Sequence, residues 1–184
     1  MSKAMVIDDS RAIRMILAAT LQDLGYEVCQ AANDNGAGQV VVSGNKAAVE
    51  RAVEIARAKG AKRAMLLPVS APFHCAMMQP AADVMAEALA RVSVRPPTVP
   101  LVANVLAKPT EDPAEIVRSL IAQVTGTVRW RESVVYMAGA GVTKFYEVGA
   151  GKVLSGLIRR LAEGAVVTAI GSPEDVAAVT AGRN

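Results

Sequence analysis

The chain alternates between short apolar runs and longer segments in which apolar residues recur every three or four positions. The short runs predict strands at "AMVI", "YEVCQAAN", "QVVVSG" and "KRAMLLPV". Helical spacing between the first two runs predicts a helix that Ser10 caps and Gly25 ends. A second helix, "NKAAVERAVEIARAKG", precedes the fourth strand and places Val49, Ala52, Val53 and Ala56 on one face. The order of elements is therefore βαββαβ.

The βαββαβ order is that of a ferredoxin-like subdomain, which we assign to residues 1–70. Downstream, helices are predicted at Met77–Val92, with Met78, Ala82, Met85 and Leu89 inward, and at "DPAEIVRSLIAQV", which Asp112 caps. Further helices follow around Trp130, at "GKVLSGLIRRLA" and after Ser172, and strands at "LVANV", "KFYEVG" and "AVVTAI". We expect an α/β fold.

Composition narrows the function classes. The chain has 184 residues, 52% of them hydrophobic and 20% charged, so it can bury a sizeable core. The net charge is only +3 and aromatic residues make up 3%, so nucleic acid is not a predicted partner. No apolar run reaches about 18 residues, so no membrane span is predicted. Cys29 and Cys75, the only cysteines, lack zinc spacing, and we expect a cytoplasmic protein without metal or cofactor.

Two adjacent carboxylates, Asp8 and Asp9, follow the first predicted strand, where they could hold a divalent cation. The surrounding "MVIDDSRAIRMIL" and "LGYEVCQAAN" resemble the start of a response-regulator receiver domain, over about residues 4–33. A receiver needs a third strand that ends in a phospho-accepting aspartate, and the corresponding window here is the helix "VERAVEIARAKG". A receiver-like signalling module therefore stays an alternative function.

The only histidine, His74, lies in "LLPVSAPFHCAMMQP", between a strand end and a new helix. An apolar run breaks at Pro68, and the chain turns through Ser70 and Pro72 before it reaches the imidazole. A histidine titrates near neutral pH and is a good proton shuttle when a fixed acceptor sets its tautomer. His74 is therefore the first candidate for a catalytic group.

Four spaced segments share a second resemblance. "AANDNGAGQVVVSGNKAAVERA", "GAKRAMLLPVSAPFHCAMMQPAADVMAEAL", "PLVANV" and "QVTGTVRWRESVVYMAGAGVTKFYEVGAGKVLSGLIRR" resemble the C-terminal half of the malonyl-CoA:acyl-carrier-protein transacylases of fatty-acid synthesis, over about residues 31–184. The resemblance implies that residues 71–184 are the C-terminal part of an incomplete, hydrolase-like α/β acyltransferase domain. It also implies transfer of malonyl from malonyl-CoA to an acyl carrier protein thiol.

The resemblance assigns roles to five residues. His74 matches the histidine that takes the proton of the nucleophilic serine and returns it to the leaving thiolate. Gln123 matches the glutamine whose main-chain carbonyl orients that histidine. Asn33, Asn35 and Asn104 match asparagines of the active-site region and are the candidate substrate-binding residues.

The family's nucleophile has no counterpart in the sequence. Ser43, Ser70, Ser155 and Ser172 do not stand in G-x-S-x-G, and no segment matches the family's oxyanion glutamine or its malonyl-binding arginine. We therefore expect no acyl transfer, and Cys75 is a poor substitute because neighbouring side chains point apart. The two resemblances together suggest a chimera or a non-catalytic fragment that binds a carrier protein. Exposed strand edges in its C-terminal part predict a homo-oligomer.

Overall fold

A computed structural model describes residues 2–7, 30–36 and 38–181. The predicted helix that begins at Ser10, the aspartates Asp8 and Asp9, and Cys29 lie outside the described residues. The chain divides into two compact units, Met1–Ser133 and Val134–Asn184. The predicted boundary after residue 70 stays a prediction.

The first unit contains a four-stranded antiparallel sheet. Its strands are β1 (Ser2–Ile7), β2 (Gln30–Gly36), β3 (Gln39–Gly44) and β4 (Arg63–Leu67), in the order β2-β3-β1-β4. β1 is central and pairs antiparallel with both β3 and β4. In a receiver domain β1 and β2 would be parallel neighbours, whereas here β3 separates them. The topology therefore gives no support to a receiver-like start.

Helix α1 (Lys46–Ala58) supplies the core of this sheet. The Asn45 side chain accepts a hydrogen bond from the Ala47 amide at 3.0 Å and caps the helix. The helix ends before Gly60, whose φ of 85° lies in the left-handed region. The predicted apolar face is confirmed: the buried cluster consists of Val42, Ala48, Val49, Ala52, Val53, Ala56 and Ala64.

The rest of the first unit brings two short strands and two helices together. They are β5 (Leu101–Val102), β6 (Pro109–Thr110), α2 (Gln79–Leu89) and α3 (Pro113–Thr125), with a single 3₁₀ turn before α2. The strand predicted at "LVANV" ends after two residues because the amides of Leu106 and Ala107 both bind the Ala103 carbonyl and close a turn. Met85, predicted inward, is exposed. Among the described residues of α2 only Ala82 is fully buried.

Four further elements follow, after helix α4 (Trp130–Gly139). They are β7 (Lys144–Val148), α5 (Val153–Leu161), β8 (Val166–Ile170) and α6 (Pro173–Ala181). β7 and β8 form a parallel pair, and the buried residues around them include Phe145, Leu157 and Ile158. Val148 is 79% exposed and Val166 59% exposed. The homo-oligomer predicted to form through exposed strand edges stays a prediction. Among the described residues, no helix combines the length and the apolar character that crossing a bilayer requires.

The Glu147 carboxylate, near the end of β7, caps the N-terminus of α5. It accepts hydrogen bonds from the amides of Leu154, at 3.0 Å, and Ser155, at 2.7 Å, and from the Ser155 hydroxyl at 2.6 Å. A carboxylate is favoured here because the first amides of a helix have no partner within it. The Ser155 hydroxyl, with these amides, holds the pKa of Glu147 below its ordinary value of 4.5.

The lowered pKa of Glu147 makes the stability of this unit depend on pH. A carboxyl group whose pKa is lower in the folded state stabilises the fold above its unfolded pKa, and this stabilisation is lost as pH falls through the folded pKa. We expect Glu147→Gln to lower the Tm by a few degrees at pH 7, with the difference from wild type shrinking below about pH 4.5. Thermal unfolding followed by circular dichroism measures both, with the exposed Glu163→Gln as control. A difference that persists at low pH would contradict the assignment.

Candidate functional site

His74 lies between β4 and the 3₁₀ turn and has an unusual backbone conformation. Its φ is 63°, in the left-handed region that few residues other than glycine adopt. Its Nδ1 atom lies 2.8 Å from the main-chain oxygen of Gln123. Because a carbonyl oxygen can only accept, Nδ1 carries the proton, and the lone pair of the neutral ring is on Nε2. The ring is thus held in the tautomer that a proton acceptor at Nε2 requires.

Gln123 presents this carbonyl from the last turn of α3. The last four carbonyls of a helix have no hydrogen-bond donor within the helix. The His74 ring supplies a donor for the Gln123 carbonyl. The side chain of Gln123 is also held: the Asn104 amide donates to its Oε1 at 3.0 Å. The two residues that the sequence pairs, 49 positions apart, are therefore in direct contact, and Asn104 joins them.

The other predicted substrate-binding residues lie on β2. Asn33 forms a parallel bridge with Val128, where Val128 donates to the Ala32 carbonyl and accepts from the Asp34 amide, both at 2.9 Å. The Asn35 amide donates to Gln39 Oε1 at 3.3 Å, within the β2–β3 hairpin. Both asparagines are half-buried, and their predicted substrate contacts stay predictions.

Cys75 is poorly placed for attack on a substrate. It has no exposed surface, and its Sγ donates to the Pro72 carbonyl at 3.0 Å. A thiol acts as a nucleophile only when it is ionised and accessible. Cys75 is a buried structural residue in this arrangement.

Arg129, which no sequence pattern singled out, organises the loop that carries Asn104. Its Nε and Nη2 donate to the two carboxylate oxygens of Glu132, and its Nη1 donates to the carbonyls of Leu106, at 3.0 Å, and Val105, at 3.4 Å. The hydrogen bonds of this pair raise the pKa of Arg129 and lower that of Glu132. The motif "VRWRE" offered a signal in its i,i+3 Arg–Glu spacing, but that spacing also occurs on ordinary solvent-exposed helices.

A shallow cavity of about 170 Å³ lies beside this network. It is bounded by β5 and its following turn on one side and by α3 on the other, and its polar lining is Asn104, Ser119 and Gln123. No group of three or more His, Cys, Asp or Glu side chains that could hold a metal ion occurs within residues 2–7, 30–36 and 38–181.

Known proteins are similar to this chain in both sequence and structure. It is 43% identical over 178 residues to the malonyl CoA-acyl carrier protein transacylase of Salmonella typhimurium (strain LT2), a match that covers 97% of this chain and 56% of that protein. The crystal structure of acyl-carrier-protein-S-malonyltransferase from Bartonella henselae superimposes with a TM-score of 0.89 at 47% identity, covering 98% of this chain and 57% of that one. The chain is homologous to malonyl-CoA:acyl-carrier-protein transacylases over most of its length.

The extent of these matches bears on the start of the chain. A match over 97% of the chain takes in most of residues 4–33, so the receiver-like interpretation has no support from the comparisons either.

The chain spans about half the length of the curated relatives that it matches. A malonyl-transacylase bound to a type II PKS acyl-carrier protein also superimposes, with a TM-score of 0.88 at 32% identity, covering 99% of this chain and 58% of that one. No family model matches the chain.

Proposed function

We propose that this chain contributes the proton-transfer side of a malonyl-CoA:acyl-carrier-protein transacylase site, with His74 as the acid–base group. The observation that carries the proposal is the 2.8 Å contact between His74 Nδ1 and the Gln123 carbonyl. Homology over most of the chain supports the same chemistry.

In the proposed mechanism, Nε2 of His74 removes the proton of a serine hydroxyl as its oxygen attacks the thioester carbonyl of malonyl-CoA. The imidazolium that forms keeps its Nδ1–H bond to Gln123, and the carbonyl dipole stabilises the positive charge. When the tetrahedral intermediate collapses, Nε2 returns the proton to the leaving thiolate. The same steps in reverse, with a carrier-protein thiol as nucleophile, release the malonyl group from the serine.

Malonyl-CoA and an acyl carrier protein are the proposed substrates. The structural relative that is complexed with an acyl-carrier protein supports this choice. The proposed substrate-binding residues are Asn33, Asn35 and Asn104. We also propose that the antiparallel sheet with α1 is a ferredoxin-like subdomain within residues 1–70, and that residues 71–184 belong to the acyltransferase domain.

The serine nucleophile is the part that these 184 residues do not contain in G-x-S-x-G form. We therefore propose that acyl transfer requires a serine supplied by sequence outside them. Neither the sheet topology nor the comparisons support the receiver alternative, and its candidate ligands Asp8 and Asp9 lie outside the described residues.

The test combines this chain with the part of the Salmonella typhimurium relative that lies outside the match. We expect the purified pair, and neither part alone, to move malonyl from malonyl-CoA to an acyl carrier protein, measured by the intact mass of the carrier protein. The chain alone should keep its mass after incubation with malonyl-CoA. A pair that elutes as a complex in size-exclusion chromatography but transfers nothing would count against the proposal.

A further inference from the structure

The turn Ala103–Ala107 directs three successive carbonyls towards one residue. The Asn104 carbonyl accepts from the Arg129 amide at 2.9 Å, and the carbonyls of Val105 and Leu106 accept from the Arg129 guanidinium. The turn itself is tight, with Ala107 at a φ of 52°. Carbonyls in such a turn have no strand or helix partner and need donors from elsewhere.

The Arg129 guanidinium is held in place from its other side. Glu132, one helical turn along, accepts from two of its nitrogens and fixes the plane of the fork. The backbone next to it is anchored as well, because Val128 exchanges two hydrogen bonds with β2. Arg129 is therefore a rigid donor group, and the position of the turn depends on it.

The turn is connected to the histidine through two further hydrogen bonds. Asn104, in the turn, donates its amide to Oε1 of Gln123 at 3.0 Å, and the Gln123 carbonyl accepts from His74 Nδ1 at 2.8 Å. A path of hydrogen bonds thus links Glu132, Arg129, Asn104, Gln123 and His74 residue by residue. The link from Arg129 to Asn104 is made by the Arg129 main-chain amide, whereas the guanidinium holds the same turn through the carbonyls of Val105 and Leu106. Each link joins groups of complementary type, and only the last one involves the ring.

We propose that Arg129, braced by Glu132, is a positioning residue that sets the tautomer and orientation of His74 through the Asn104–Gln123 hydrogen bond. This inference rests on the proposed function, because it concerns the same histidine. Arg129 itself does not touch the imidazole in this path. Arg129 holds the turn Ala103–Ala107 where the Asn104 amide can reach Gln123 Oε1. That bond fixes the C-terminal end of α3 and keeps the Gln123 carbonyl pointing at His74 Nδ1.

The chain's single histidine allows a direct measurement. Long-range ¹H–¹⁵N correlation spectra at about pH 8.5, where imidazole is neutral, give the ratio of the Nδ1–H to the Nε2–H tautomer of His74. We expect the wild-type ring to be mainly Nδ1–H. Arg129→Gln and Asn104→Ala should each lower the ratio about threefold to tenfold, because both weaken the support of the His74–Gln123 hydrogen bond and complete loss of that one bond sets the upper limit of about tenfold.

Arg118→Gln is the matched control. Arg118 also forms an ion pair, with Asp112 at 3.5 Å, and lies on α3, but it is exposed and is not part of the path. The control should keep the wild-type tautomer ratio. Circular dichroism on each variant separates a shifted tautomer from unfolding, and Glu132→Gln, which keeps the shape of the side chain, provides a milder change if Arg129→Gln does not fold.

The outcomes separate this inference from the proposed function. Suppose that Asn104→Ala folds, together with Arg129→Gln or Glu132→Gln, and that these variants keep the wild-type tautomer ratio. The positioning role is then overturned, while the His74–Gln123 geometry stands. If the wild-type ring itself is mainly Nε2–H, the geometry behind the proposed function is overturned, and the positioning role with it. A lower ratio in the path variants but not in Arg118→Gln supports the inference.

Discussion

Replacing His74 by asparagine is expected to lower malonyl transfer by the reconstituted pair about 10²–10⁴-fold, the usual contribution of a positioned acid–base group. Asparagine is the informative replacement because it tolerates a left-handed backbone, here at a φ of 63°. Its side-chain amide can also donate a hydrogen bond to a carbonyl, but it cannot take up a proton near neutral pH. The substitution therefore removes the proton transfer and preserves the local conformation.

The measurement is the rate at which malonyl appears on the carrier protein, with the exposed Arg118→Gln as the control variant. We expect the Tm of His74→Asn to stay close to that of wild type, whereas His74→Ala should be less stable because alanine is strained at positive φ. Transfer by the Asn variant at the wild-type rate would show that His74 is not the acid–base group.

Replacing Gly126 by alanine is expected to destabilise the first unit by about 1–3 kcal/mol, the usual cost of overpacking a tight site. A Cβ atom at this position would lie 2.8 Å from the Ala122 carbonyl oxygen and 2.9 Å from Cγ1 of Val105. The first of these atoms belongs to the helix backbone and cannot move away cheaply. The backbone of Gly126, with φ −93° and ψ 159°, is ordinary for alanine, so the cost comes from lack of space alone.

Urea unfolding of Gly126→Ala and Gly139→Ala tests this cost against a matched control. Gly139 ends α4, and a Cβ atom there would meet no atom within 4 Å. We expect Gly139→Ala to be neutral or slightly stabilising, since alanine favours helix more than glycine does. If Gly126→Ala unfolds at the same urea concentration as wild type, α3 and the turn before it are not as closely packed as the structure has them.

Local sequence patterns predicted much of the fold. The strand "QVVVSG" has the predicted bounds, the helix after Asn45 buries its predicted face, and Asp112 caps α3 through the amides of Ala114 and Glu115. These features depend on residues a few positions apart, where capping groups and periodicity act directly. Two predictions from local patterns were wrong. Met85, predicted inward, is exposed, and the strand predicted at "LVANV" ends after two residues in a turn. Periodicity shows which residues share a face, but a neighbouring element decides whether that face is covered.

For the candidate site, the single histidine was evident from the sequence, and the resemblance predicted its pairing with Gln123. The support of that pairing became visible only in the folded chain. The His74 bond to the Gln123 carbonyl, the Asn104 amide on Gln123 and the Arg129 bonds to the turn carbonyls join residues 19 to 49 positions apart. The link from Asp34 to Arg131 spans 97 positions. Such contacts leave no periodic or local signal in a single sequence, because they arise only when the packed backbone brings distant donors and acceptors together.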